Sequence, residues 1–149
     1  PELGGNYNVI HHTEFLNELL DKGKLITKKT NQKITYHDSC YLGRGNKIYE
    51  APRSIINSIS KNLIEMKRNK EKGLCCGAGG AQIFKESENG TAEINIERIK
   101  EVENSNAETV VSACPFCLTM INDGIKEKKI DSKIQVKDIA ELLEENLND

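Results

Sequence analysis

The sequence predicts an α/β domain, a mainly parallel sheet flanked by helices in a Rossmann-like layering, and three observations carry that expectation. Short β-branched runs alternate with amphipathic helical segments through most of the chain, the rhythm of strand–helix–strand units joined by right-handed crossovers. TVVSA (109–113) is a continuous apolar run of the kind a strand buried on both faces requires. The 149 residues, 37% apolar and 30% charged, suit one domain with a real core and exclude a disordered chain.

In order along the chain, YNVIHH (7–12) has strand character and leads into TEFLNELLDKG. There Thr13 is placed to cap a helix whose Phe15, Leu16, Leu19 and Leu20 share a face, and Gly23 ends it. KITYH (33–37) alternates as a strand, and DSCYLGRGN after it is rich in turn formers. Pro52 suits a first helical turn, with Ile55, Ile56 and Ile59 as the apolar stripe of that helix. NLIEM (62–66) reads as a short strand and RNKEKG as a solvated charge run. AEINIERIKEVEN (92–104) is helical, with Ile96, Ile99 and Val102 on one side; CPFCLTMINDGIKE continues from strand 109–113 as a helix. IQVK (134–137) is a last strand, and Asp138 opens DIAELLEENL with a D-x-x-E capping box.

A net charge of −2 and the lack of a basic patch with interleaved aromatics give no reason to expect nucleic acid as a partner. No apolar run reaches spanning length, so direct membrane insertion by this domain is not expected. The opening PELGG has no Met and runs straight into strand-like sequence, which reads as a piece of something larger. Five cysteines, an odd number, argue against a secreted disulfide framework and for a reducing, cytoplasmic setting, where clustered thiols serve metal or redox chemistry.

Those cysteines form the pattern C-x34-CC-x37-C-x2-C. Cys40 lies three residues past one strand, Cys114 follows another, and Cys75 and Cys76 follow a third after a charged loop. All five therefore fall beyond carboxyl ends of strands, where open parallel sheets bind their ligands. GLCCGAGG (73–80) sets two soft ligands side by side and strips the surroundings of side chains. Gly77, Gly79 and Gly80 let the backbone approach inorganic sulfide and turn amide N–H groups into an anion-binding nest. Such donors and a helix start after CPFC suit an anionic iron–sulfur core.

Other readings compete. Zinc needs four ligands and would use four cysteines, or add His37, and leave thiols over; the CC pair disfavours it. CPFC at a strand–helix junction suggests a thioredoxin-like centre, but no proline follows Cys117 to supply that fold's cis-proline. GAGGAQ (77–82) fails the dinucleotide fingerprint at its last position. Inert core cysteines account for one or two thiols, not five on loops. Without metal, Cys114 and Cys117 are the obvious disulfide candidates. His37, three residues before Cys40, is a candidate to support the site from behind the ligands. His11 and His12 read as structural or solvated. Arg44 reads either as a charge facing the site or as a partner of surface carboxylates.

KITYHDSCYLGRGNKIYEAPR, EMKRNKEKGLCCGAGGAQIFKE, INIERIKE, ACPFCLTMINDGIK and VKDIAELL follow one another as in the CCG (cysteine-rich) domain of the heterodisulfide reductase and bacterial iron–sulfur oxidoreductase family. The chain resembles that family over most of residues 7 to 143, and most of all the C-terminal part of its D-type members. The resemblance implies that Cys40, Cys75, Cys76, Cys114 and Cys117 ligate a non-cubane [4Fe–4S] cluster. It implies an oxidoreductase module that reduces a disulfide or passes on electrons from organic-acid or flavoprotein oxidation. The alternative it leaves is a zinc-stabilised interaction domain without turnover. Residues 1–149 would then be a single C-terminal domain of a larger protein. Its partners would be other Fe–S domains or subunits and a flavoprotein such as an electron-transfer flavoprotein, with the parent associated with the membrane on its cytoplasmic side. Ser39 stands where many relatives have proline, and AQIF (81–84) where many have Arg-Met-Trp, departures that bear on the loop and on the surface around the site rather than on the ligands.

Overall fold

Three four-residue strands, β1 (Ile34–His37), β2 (Thr109–Ser112) and β3 (Gln135–Asp138), lie parallel in the order β1-β2-β3. The computed structural model from which this architecture is taken describes residues 2–86 and 89–148. Pro1, Ser87, Glu88 and Asp149 lie outside them. The register sets Ile34 against Thr109 and Gln135, and brings His37, Ser112 and Asp138 level at the carboxyl ends. Every residue of β1 and β2 is buried, as the apolar runs predict for strands covered on both faces, whereas β3 is half-exposed.

Helices α1 (His12–Asp21), α2 (Glu50–Ile59) and α5 (Ile139–Glu144) cover one face. The predicted stripe of α2, Ile55, Ile56 and Ile59, is fully buried there with Ile34, Tyr36 and Val111. Helices α3 (Ile94–Ser105) and α4 (Pro115–Glu127) cover the other, where Ile99, Val102, Ile121 and Ile125 pack on Val110. Truncating any one of these isoleucines to alanine costs about 2–5 kcal/mol. Ile96, expected in the α3 stripe, is only half-buried; the face that α3 turns inward instead carries Asn95, Arg98 and Glu101 beside Ile99 and Val102.

Two strand expectations are corrected. Residues 7–11 form no strand among the described residues: Tyr7 and Val9 are exposed, and α1 begins at His12, one residue before the expected cap. His11 is the cap. Its Nδ1 accepts from the Thr13 amide at 3.2 Å, and Glu14 reaches back to its backbone N–H at 3.2 Å, a capping box built on imidazole. The second strand, 62–66, shrinks to one parallel bridge between Leu63 and Ile34, held by Ile34 N–H to Asn62 O and Ile64 N–H to Ile34 O. Asn62 and Asn69 bind backbone carbonyls nearby, and the ladder stops where the chain turns into the charged loop. Asp138 caps α5 with Glu141, as its sequence predicts.

That single bridge matters for the site. The chain runs from β1 through α2 on one face to the outer edge, then back across β1 through α3 on the other face to β2. The direction of winding reverses between the carboxyl ends of β1 and β2. This is a topological switch point, where doubly wound sheets open a crevice.

Candidate metal centre

His37, the last residue of β1, lies at that crevice and is 1% exposed. Cys114 caps α4 just past β2, and Pro115 starts the helix, where its missing N–H costs nothing. One turn on, Cys117 points back into the protein and is buried. Cys76, also buried, arrives from the glycine loop. The ligand atoms of His37, Cys76 and Cys117 all lie within 4.8 Å of one another.

The loop that delivers Cys75 and Cys76 is tied to β1 by a buried carboxylate. Asp38 (3% exposed) accepts both Nη atoms of Arg53 at 2.8 and 2.9 Å and the Lys70 amide at 2.7 Å. Arg53 closes a second fork on Glu65 at 2.6 and 2.9 Å, so α2, β1 and the segment before the glycine loop meet on one guanidinium. Arg44 is not turned to the thiols: its Nη1 donates to Gly73 O at 3.2 Å and fastens the Cys40 turn to the same loop. At Gly77 the backbone enters the left-handed region (φ +99°), and an added Cβ would meet Met120 at 3.2 Å and the Asn95 amide at 3.3 Å. Gly80 (φ +67°) and Ala81 (φ +60°) bend the chain again as a short 3-10 segment, Gly79–Phe84, leaves the site.

Of the three glycines expected to aim amides at the site, Gly77 donates to a sulfur. Gly77 N–H donates to Cys75 Sγ at 3.4 Å, a backbone hydrogen bond at Ala78 serves Cys76, and a Cβ on Gly79 would lie 3.9 Å from Cys75 Sγ. Gly80 faces open space. Hydrogen bonding from Cys117 pulls the Cys76 thiol down to about 4, with smaller help from His37 and Ala78 that outweighs its burial. The same bond, with burial, pushes Cys117 up. The two sulfurs are thus hydrogen-bonded to each other, and that contact favours charge on one of them over charge on both.

Cys114 borders this pair through its contact with Cys117, half-buried at the helix start. Cys75 is half-buried, and Cys40 is exposed on the π-type turn Tyr41–Gly45 that follows β1; both stand outside the compact group. All five cysteines are free thiols, Cys114 and Cys117 included. Tyr41, Phe84 and Phe116, which follow Cys40, the glycine loop and Cys114 in sequence, are exposed.

Sequence reasoning missed Arg98. Fully buried on α3, it donates from Nε to His37 Nδ1 at 2.9 Å, and from Nη1 to Arg68 O at 2.8 Å and Glu101 at 2.7 Å. Glu101 also holds Arg68, at 2.5 Å. Nη2 of Arg98 has no acceptor among the described residues. In a guanidinium that nitrogen lies beside Nε–H, so its orphan hydrogens project to the side His37 occupies. Buried donors without acceptors, amides aimed at sulfur and free thiols at a switch point suit an anionic, sulfur-liganded group. The signal was present: Asn95, Arg98 and Glu101 recur at three-residue spacing, a polar stripe alongside the apolar one.

The architecture defines a doubly wound α/β domain built around a thiolate centre. A family model described as "Cysteine-rich domain" (CCG) matches residues 34–122, from the start of β1 to within α4, and the chain belongs to that family. It is 42% identical over 149 residues to the "Probable iron-sulfur-binding oxidoreductase FadF" of Bacillus subtilis, covering 99% of this chain and 21% of the relative. It is 43% identical to the "EtfAB:quinone oxidoreductase" of Syntrophomonas wolfei, over 96% of this chain and 21% of that protein. To the D subunit of the dihydromethanophenazine:CoB–CoM heterodisulfide reductase of Methanosarcina barkeri it is 40% identical, over 95% and 34%. The chain thus spans about a fifth to a third of the length of these relatives.

Proposed function

We propose that this domain is an iron–sulfur electron-transfer module of a larger oxidoreductase, with Cys40, Cys75, Cys76, Cys114 and Cys117 as its ligands. The observation that carries the reading is the buried Cys76–Cys117 pair, whose sulfurs lie within 4.8 Å of each other at the switch point, beside a loop amide that already donates to sulfur. Adjacent Cys75 and Cys76 diverge, one half-exposed and one buried, as ligands to different atoms of a multinuclear group would. The resemblance to heterodisulfide reductases favours a [4Fe–4S] cluster of the non-cubane kind as that group, which when bound would supply one-electron redox chemistry. The chain's own residues prepare for it. Cys76 and Cys117 bring two sulfurs together, and Gly77 and Ala78 direct N–H groups at sulfur. Asp38 and Arg53 hold the loop so that this arrangement exists before loading.

Exposed Cys40, with Tyr41 and Phe116 nearby in sequence to Cys40 and Cys114, gives the side from which electrons enter or leave. Partners reaching it are further Fe–S domains or subunits of the parent. A flavoprotein of the electron-transfer type is favoured by the similarity to an EtfAB:quinone oxidoreductase. Among the described residues no helix is long and apolar enough to cross a membrane. The similarity to the "Probable membrane-anchored ferredoxin" of Chromohalobacter salexigens favours a parent associated with a membrane, and we place this domain on its cytoplasmic side. The test is iron and acid-labile sulfide content after anaerobic purification, with the visible spectrum. About four of each per chain and a brown colour that bleaches on reduction is the expected result. One zinc, no sulfide and no colour would replace the reading with a structural zinc domain.

A further inference from the structure

The compact trio of His37, Cys76 and Cys117 invites assignment of all three as metal ligands. The partner of His37 argues otherwise. A histidine that binds metal through one ring nitrogen carries its proton on the other and donates it to a carboxylate, carbonyl or water. Here the nitrogen facing away from metal duty, Nδ1, meets a donor: the Arg98 Nε–H at 2.9 Å. An arginine has no lone pair to accept with and does not deprotonate in proteins, so Nδ1 must accept. A ring whose Nδ1 accepts is not the doubly protonated cation. The one ring proton is therefore on Nε2, and that nitrogen has no lone pair free for a metal. What it has is an N–H, and His37 is hydrogen-bonded to the Cys76 sulfur.

We infer that Arg98 is a positioning residue which locks His37 in its Nε2–H tautomer, so that His37 serves the centre as a hydrogen-bond donor to the Cys76 sulfur and is not a ligand. The inference rests on the assignment of the cysteines as ligands made above, and adds which polar group tunes them. The lock is itself braced. Glu101 and the Arg68 carbonyl hold Arg98 Nη1, and Arg98 is 0% exposed. Ser112, level with His37 on β2, donates to the His37 carbonyl at 3.3 Å and ties that residue's backbone to the neighbouring strand. A hydrogen bond donated to a ligating thiolate withdraws charge from it and raises the potential of the group it holds.

The experiment has two arms on the full 149-residue chain, one of which needs no iron. In the first, the chain is loaded with cadmium as the metal alone, and its histidine side-chain nitrogens are followed by NMR. His37 should show an unprotonated Nδ1 and a protonated Nε2 before and after loading, with no cadmium–nitrogen coupling. Coupling to either His37 nitrogen would overturn the inference. Arg98→Leu removes the lock, so the Nδ1–H tautomer should appear; a tautomer unchanged from wild type would equally overturn it. Where Arg98→Leu does not fold, the cadmium result on the wild-type chain decides alone, and Arg98→Lys, which retains a donor, should keep the wild-type tautomer. In the second arm His37→Ala is reconstituted anaerobically. Iron and sulfide should stay at the wild-type ratio while the midpoint potential moves to more negative values. Loss of iron relative to wild type would show His37 to be a ligand. If neither protein takes up iron and sulfide, the function proposed above fails, and the cadmium arm still judges the role of Arg98.

Discussion

Cys76 and Cys117 are buried, lie together, and are surrounded by groups whose own partners fix them: His37 by Arg98, Arg98 by Glu101, and the loop by Asp38 and Arg53. Cys40, Cys75 and Cys114 are exposed or half-exposed, and are placed by turns and one helix start. The inner half of the centre is thus specified by tertiary packing and buried charge, the outer half by local backbone geometry. The difference teaches where pre-organisation stops. The fold packs two sulfurs and a histidine together at the sheet, and leaves the other three thiols nearer the surface.

The comparison breaks most completely if the buried charge is removed. Asp38→Ala leaves Arg53 with Glu65 and the Tyr49 carbonyl, and stripping one partner from a buried ion pair costs about 3–5 kcal/mol. Urea unfolding of the metal-free chain should register a loss of that size, and a loss below about 1 kcal/mol would show that the inner half is not held this way. Next come the two glycines of the loop. Gly77→Ala combines a positive φ with backbone and side-chain contacts and should cost about 1–3 kcal/mol. Gly80→Ala, also at positive φ but in open space, should cost about 1 kcal/mol. Equal losses would erase the distinction between the buried and exposed ends of the loop.

A subtler contrast lies in the thiols. In metal-free protein, Cys40→Ser should change stability by less than about 0.5 kcal/mol, as expected for an exposed position. Both Cys40→Ser and Cys76→Ser should lower iron incorporation, so the pair separates ligation from scaffolding. Brief alkylation followed by peptide mass spectrometry should modify Cys40 before Cys76, because Cys40 is exposed and Cys76 is buried.

The smallest effect belongs to a region outside both halves and serves as their reference. Burial and neighbouring His12 hold the His11 imidazole below its ordinary value of 6.5, so the unfolded chain takes up the proton first. The stability this cap contributes is present above 6.5 and is lost as pH falls through the folded value. Protonation removes the nitrogen that accepts from Thr13, and for a partly exposed cap the loss should be about 0.5 kcal/mol, measured as a drop in midpoint that His11→Asp abolishes.

Much of the fold was legible because its signals are local. The stripe of Ile55, Ile56 and Ile59, the buried run at 109–112, the capping box at Asp138 and proline at the start of α4 each announce themselves within a few residues. YNVIHH misled because β propensity says that a segment suits a sheet without supplying one; its apolar side chains find no neighbouring strand among the described residues. The cysteines could be gathered at one sheet edge from topology alone. Which of them would be inner and which outer could not, since that depends on the depth of each loop. Arg98 was hidden for a related reason. A charged residue in a helix reads as solvent-facing until the acid and carbonyl that allow its burial are in place, and these come from Glu101 and Arg68.

The bond between Ser112 and the His37 carbonyl joins residues 75 positions apart, and all of the β1–β2 pairing spans the same interval. Chain closure over such a distance is slow and comes late in folding. During synthesis Cys40 leaves the ribosome roughly 4 to 15 seconds before Cys117, at about 5–20 residues per second. Through that interval the nascent chain offers scattered thiols with no sheet to collect them. A loading apparatus that acted on the growing chain would meet ligands but no centre. Cofactor insertion into this protein is therefore a step for the finished chain, and the quality control of one is inseparable from that of the other.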